Sequence, residues 1–404
     1  MIKRLLIIAM VCCVNIVLQA QLAVGQWQLF PTKSSEAGII YESIHDEVYY
    51  LSGNNLFSYD KSTSEIETYN SGNYLSDNEI KNIYYNYDKG YLVVVYSNSN
   101  IDLIYTHKKV VNIPDLKNTI MMYSKSINDV VFFNNKIYLA TDFGLVVLND
   151  DKHEVYESYI YEKVFSKLVV VDDYLLALID NQLYISLLQP GLYDFNEHWS
   201  AIDMNGIVPT TVSNMYVIND KQVLFSCNET SYILNVENST FTEQTTSYYY
   251  AKFINRTKTG HLISFSGNIR FISSEVSEDN QLIVSQIYST DKAGIKDGYY
   301  SSYNSANTIW CCNADGISHF KYSGSTLEFL VQPSSFNTSS VQDPRSITIC
   351  NDKVYVKNMG PYNHSVDMSK ATIVSQYDLN TYEWSVMSLD NVIRDGNASS
   401  KGAL

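Results

Sequence analysis

Two acidic runs, Asn149-Asp150-Asp151 and Asp172-Asp173, are dense oxygen-ligand clusters, and Ca²⁺ is the cation such ligands attract. Neither continues into a loop of alternating oxygen donors with the glycine that a complete Ca²⁺ loop requires, so both read as solvated turns. Zinc has no better site. His45, His107, His153, His198, His261, His319 and His364 occur singly, with no His-x-x-x-His pair and no Cys-x-x-Cys. A Gly-x-Ser-x-Gly elbow, a phosphate-binding glycine loop and a dinucleotide fingerprint are all missing from the sequence. Paired carboxylates for glycoside hydrolysis stay open, because a repeat protein takes such pairs from separate repeats and leaves no local spacing to read. The expectation is a non-enzyme with no catalytic residues, no metal and no cofactor, and no ligand-binding residue can be assigned.

Four further groups have chemical potential. Tyr84-Tyr85 with Tyr87, and Tyr248-Tyr249-Tyr250, offer flat aromatic faces on which a sugar could stack. In strands, however, alternate residues point to opposite sides, so half of each group must enter the packing. His107-Lys108-Lys109 is the one compact basic spot, and it reads as a solvated hairpin end rather than an anion site. In Ser97-Asn98-Ser99-Asn100-Ile101-Asp102, Ser97 to Asn100 make a turn, while Asp102 either caps a neighbouring unit or faces a central funnel. The cap is the preferred role.

The elements that must position these residues recur. An apolar run, a polar turn of two to five residues and a second apolar run appear eight times, with first apolar residues at 48, 92, 137, 175, 223, 262, 309 and 354. The steps of 38 to 48 residues match four-stranded propeller blades, with room between copies for an outer strand such as Ile66–Tyr69 and an inner one such as Ile80–Tyr85. Shorter repeats would be needed for a β-helix, and stacked sandwiches would not hold one period so long. With 34 tyrosines and seven prolines, the composition suits pleated sheet. The expected fold is therefore all-β: a seven-bladed β-propeller of four-stranded blades followed by one extra blade-like unit. The expected organisation is a signal peptide over 1–25, the β-propeller over 26–349 and the start of a truncated second propeller over 350–404.

The signal peptide rests on Lys3-Arg4, the apolar run Leu5 to Leu18 and the small residues Ala23 and Gly25 before Gln26. A lipid anchor at Cys12 or Cys13 is disfavoured because Met10-Val11 supplies no small residue ahead of the cysteine. No second apolar run of comparable length follows, so the mature chain has no expected transmembrane span. The formal charge of −15 becomes −17 once the leader's two basic residues are removed. That charge excludes nucleic acid and disfavours an anionic membrane surface, since both require a basic face. Cys227, Cys311, Cys312 and Cys350 read as small buried hydrophobes, with Cys311 and Cys312 on opposite faces of one strand.

Several stretches resemble the N-terminal propeller of the PorZ family. They are Trp27-Gln28, Tyr74-Leu75-Ser76-Asp77-Asn78-Glu79-Ile80, Leu92 to Ile104, Val111-Asn112-Ile113-Pro114-Asp115-Leu116-Lys117, Lys125-Ser126-Ile127-Asn128 and Tyr138 to Leu145. The resemblance is close over about residues 27 to 160 and elsewhere is one of blade rhythm. PorZ-like proteins are components of the type IX secretion system of Bacteroidetes. The resemblance implies two seven-bladed propellers, a C-terminal β-sandwich that acts as the secretion signal, and a place beside the sortase PorU in the cell-surface attachment complex. It also implies binding of anionic lipopolysaccharide, and a location in the periplasm or at the outer-membrane surface. With the last residues at Gly402-Ala403-Leu404, the second propeller and the sandwich are expected to be absent here. The Asp142-Phe143-Gly144-Leu145 turn also resembles the propellers of hybrid two-component sensors, which gives the alternative of a periplasmic sensory propeller recognising an oligosaccharide.

Overall fold

The central hairpins form at all eight positions where the pattern recurs. The computed structural model describes residues 38–290, 299–303, 307–313, 316–323, 326–334, 344–358, 373–381 and 383–388. Within them the hairpins include Glu47–Ser52 with Asn55–Asp60, Tyr91–Tyr96 with Ile101–Ile104, and Lys353–Asn358 with Ile373–Asp378. Two tight turns, Asp180-Asn181 and Asn228-Glu229, hold both central residues at positive φ. That conformation matches the turn's twist to that of the flanking strands.

Each hairpin gains one strand before it and one after it, giving eight four-stranded antiparallel sheets among the described residues, every one in chain order. They span 40–69, 80–113, 127–160, 165–201, 212–243, 253–289, 299–334 and 344–388, and are called the first to the eighth sheet here. The proposed outer strand Ile66–Tyr69 and inner strand Ile80–Asn86 are both present. The eighth sheet opens with Pro344–Cys350, so the expected boundary at 349/350 falls inside its first strand.

Both faces of these sheets are apolar, which is why they need neighbours. Tyr91–Tyr96 is buried at all six positions: Tyr91, Val93 and Val95 join a cluster with the third sheet's Ile137, Leu139 and Val146. Leu92, Val94 and Tyr96 join one with the first sheet's Tyr49, Leu51 and Leu56. The same arrangement continues from sheet to sheet up to the seventh. There, Trp310, Cys312 and Ile317 of the seventh sheet pack against Ile40, Val48, Tyr50, Phe57 and Tyr59 of the first. Cys311 lies in the cluster shared with the sixth sheet, so the two adjacent cysteines do face opposite ways. Cys227 is buried as well, but Cys350 is an exposed free thiol and departs from the expectation, because the eighth sheet's first strand presents its side chains to solvent.

Close approach explains one glycine. Gly144 has φ +148°, and a Cβ there would stand 2.1 Å from the Tyr159 carbonyl oxygen. Only glycine lets the 141–144 turn lie against the outer strand. Among the described residues no helix is long and apolar enough to cross a membrane. The leader expected at 1–25 lies outside the described residues.

Candidate functional site

The first strand of each sheet has one edge with no strand partner, and its N–H and C=O groups still need partners. Polar side chains of adjacent first strands supply them. Asp129 of the third sheet accepts the Leu168 N–H of the fourth at 3.1 Å, and Asn128 donates to the Phe165 carbonyl at 3.0 Å. Asn255 of the sixth sheet donates to the Ile40 carbonyl of the first (3.1 Å) and to Ser301 Oγ of the seventh (3.0 Å), and accepts from the Tyr87 hydroxyl at 2.8 Å. Ser301 Oγ also accepts the Glu42 N–H at 2.8 Å. Asn, Asp and Ser thus tie the first strands of different sheets where no backbone ladder can.

These strands surround a cavity of about 880 Å³ lined by Tyr41, Tyr84, Asp129, Lys167, Tyr216 and Arg256, among others. Asp129 is enclosed by protein yet keeps surface open to the cavity. Its carboxylate takes the Val130 and Leu168 N–H groups, both at 3.1 Å, and the Tyr84 hydroxyl. Burial nonetheless dominates and pushes its pKa up, against the pull of Lys167 and these hydrogen bonds. Tyr84, Tyr41 and Tyr216 are all raised, burial again being the largest cause, so all three phenols are neutral donors and acceptors near pH 7. Tyr41 senses both Tyr216 and Asp129 electrostatically, which brings the first, third and fifth sheets to one space. Its ring is packed by Tyr85, Tyr87 and Phe253 at centroid distances of 6.3, 6.5 and 5.5 Å. Charged lining residues number three cations (Lys167, Lys252, Arg256) against two carboxylates (Asp129, Asp220), a local reversal in a chain of formal charge −15.

The groups singled out from the sequence lie elsewhere or play structural parts. Asp102 is buried and accepts hydrogen bonds from the Ser76 N–H (2.8 Å), the Tyr96 hydroxyl (2.5 Å) and Asn112 Nδ2 (2.8 Å). Ser76 belongs to the segment joining the first and second sheets, so Asp102 caps that crossing and does not line the cavity. Asp150 and Asp151 both ion-pair with Lys89, at 3.1 and 2.8 Å, and Asn149 accepts the Asp151 and Lys152 N–H groups as a turn. Asp172 sits at φ +50° between the first two strands of the fourth sheet. Among the described residues no three His, Cys, Asp or Glu side chains gather as metal ligands. Lys108 pairs with Glu67 at 2.6 Å and lies 5.6 Å from the Tyr74 ring, while Lys109 lies 5.7 Å from Tyr105. Of the tyrosine groups, Tyr85 and Tyr248 are core, Tyr250 is exposed, and Tyr84 alone lines the cavity.

Tyr41, Asp129, Lys167 and Tyr216 carry no local motif, yet the sequence held a signal. Tyr41, Tyr84, Asp129, Lys167 and Tyr216 each stand seven or eight residues ahead of a central hairpin, at Val48, Leu92, Ile137, Leu175 and Val223 respectively. Aligning the repeats on their hairpins would have exposed that column.

Four-stranded meanders packed face to face, with their first strands around a polar cavity, place the chain in the β-propeller class of all-β proteins. Residues 48–200 match the family described as the TSS9, PorZ, N-terminal beta-propeller domain, which bears out the resemblance read in the sequence. No curated protein matches the chain. The solved structure of PorZ from Porphyromonas gingivalis, described as an essential bacterial surface component of the type-IX secretion system, is 20% identical with a TM-score of 0.71. The alignment covers 92% of this chain and 47% of that one, so the chain spans about half the length of this relative. The extracellular domain of the one-component system BT4673 from B. thetaiotaomicron is 13% identical, with a TM-score of 0.38 over 90% of this chain and 56% of its own. The Cps50 (Swd1) β-propeller domain of Myceliophteria thermophila is 8% identical, with a TM-score of 0.47 over 77% and 97%.

Proposed function

We propose that this protein is a non-catalytic, exported accessory of a type IX secretion system. The observation that carries the reading is the match of residues 48–200 to the PorZ N-terminal propeller, joined to a PorZ-like fold across most of the chain. On this reading residues 1–25 direct export and the first seven sheets form a closed seven-bladed propeller. The cluster and the Glu42–Ser301 hydrogen bond that join the seventh sheet to the first support closure. The eighth sheet is then the first blade of a second propeller. The protein works in the periplasm or at the outer-membrane surface with a PorU-like sortase, and it binds anionic lipopolysaccharide. A chain this acidic would hold an anionic glycolipid through a local basic patch, a bridging cation or its sugars rather than through its overall field.

Affinity capture from outer membranes of the native host tests this. A sortase-like protein or lipopolysaccharide should co-purify with the tagged chain. Recovery of neither, with unchanged cargo anchoring after gene deletion, would remove the secretion reading.

A further inference from the structure

Among the described residues, one cation of the cavity wall makes no hydrogen bond. Lys167 is half-buried there, and among the described residues its ammonium makes no hydrogen bond or close ion pair; Asp129 acts on it through space only. The Asp129 carboxylate is occupied by two backbone N–H groups and Tyr84, and so is not free to swing toward the ammonium. A half-buried ammonium whose nearest carboxylate is held by other donors keeps its own hydrogen-bond donors open to an entering anion.

Two hydroxyls set the remaining chemistry. Tyr41 Oη has no protein partner among the described residues. Tyr216 Oη lies 3.3 Å from His261 Nδ1, while His261 Nε2 lies 2.8 Å from the Ile218 carbonyl oxygen. A carbonyl only accepts, so Nε2 carries the imidazole proton, Nδ1 accepts, and Tyr216 donates to it. With its proton given to His261, the Tyr216 oxygen keeps lone pairs that can accept a further hydrogen bond. Since the Tyr41 ring is packed by its neighbours, it offers a ligand a hydroxyl and not a stacking platform.

We propose that the cavity binds a small hydroxylated organic anion, its charged group held by the Lys167 ammonium and the Tyr41 hydroxyl, and a ligand hydroxyl donating to Tyr216. This does not depend on the secretion reading, because it rests on the residues that line the cavity and not on the family match. Volume permits it: about 880 Å³ is within the usual range for small-molecule sites.

Isothermal titration of the purified chain with gluconate, with glucitol and with inorganic phosphate tests the assignment. Gluconate and glucitol share a carbon skeleton and differ in the carboxylate, so gluconate should bind saturably and glucitol should not. Phosphate binding in place of gluconate would assign a phosphorylated ligand and keep the site. Lys167→Met should weaken anion binding about tenfold or more, Lys167→Arg should keep most of it, and Tyr41→Phe should cost a smaller factor. Glucitol binding as well as gluconate, a Lys167→Met protein that binds unchanged, or no saturable anion binding by the folded chain would each overturn the proposal. Host capture reads co-purifying protein and lipopolysaccharide, whereas titration reads a small anion bound by the purified chain, so the two readings fail separately.

Discussion

The second and eighth sheets follow one pattern and end in opposite surroundings. In the second, Tyr91–Tyr96 is buried at every position, with alternate residues entering the clusters on either side. In the eighth, Ile347 and Ile349, two residues apart and so on one face, are 65% and 69% exposed. What differs is whether a sheet stands against that face. A blade's residues encode the need for two neighbours; burial follows only where both are present.

The strongest way to break the contrast is to open a seam. Leu139 is fully buried between the second and third sheets. Leu139→Ala should cost roughly 2–5 kcal/mol, because the packed strands around it cannot collapse into the gap. Chemical denaturation should show a lowered midpoint, and a loss under 1 kcal/mol would mean the seam is loosely packed.

The cap on the crossing between the first and second sheets comes next. Asp102→Asn keeps the shape but replaces one carboxylate oxygen with an amide that cannot accept from all three donors. The expected loss is about 1–3 kcal/mol. The comparison with Asp102→Ala, which also leaves the Tyr96 hydroxyl unpaired, should show the larger loss.

Legibility in the sequence followed the same division between local pattern and long-range assembly. The hairpins were readable because each is local, the first seven within 17 residues and the eighth within 26, and is written in apolar runs and turn residues. The core role of Cys227, Cys311 and Cys312 followed from the same strands. The cavity was not readable residue by residue: Tyr41, Asp129, Lys167 and Tyr216 come from four sheets, each alone is an ordinary residue of a strand edge, and only their shared offset from the hairpins connects them. Cys350 departs from the buried role of the other three cysteines because its strand has an exposed face.

Acid should act on the buried seam histidine. His261 is held below its ordinary 6.5 chiefly by burial, with Arg256 adding to the effect and the Ile218 carbonyl opposing it. Below about pH 6.5 the unfolded chain takes up this proton more readily than the folded one, so stability is lost as pH falls from there toward the folded value. His319 shifts in the same direction, also by burial. Asp129, raised by burial, works oppositely: its contribution improves as the pH falls through its folded value. Thermal melts of the parent and His261→Gln at about pH 8 and about pH 5.5 separate these effects, the variant losing less Tm on acidification. Equal losses would exclude His261 as a contributor.

The smallest effect should come from the exposed face of the eighth sheet, and it is the most telling for the contrast. Ile349→Ser removes an apolar side chain that solvent already reaches, so the unfolding free energy from chemical denaturation should move by less than about 0.5 kcal/mol. The same change should lower concentration-dependent association in sedimentation velocity, since a bare apolar strand face invites another sheet. If Ile349→Ser instead destabilises as much as Leu139→Ala, that face is packed in solution and the difference between the two sheets disappears. If stability holds and association falls, the eighth sheet is a complete strand unit lacking only a neighbour, which is what the first blade of a further propeller would be.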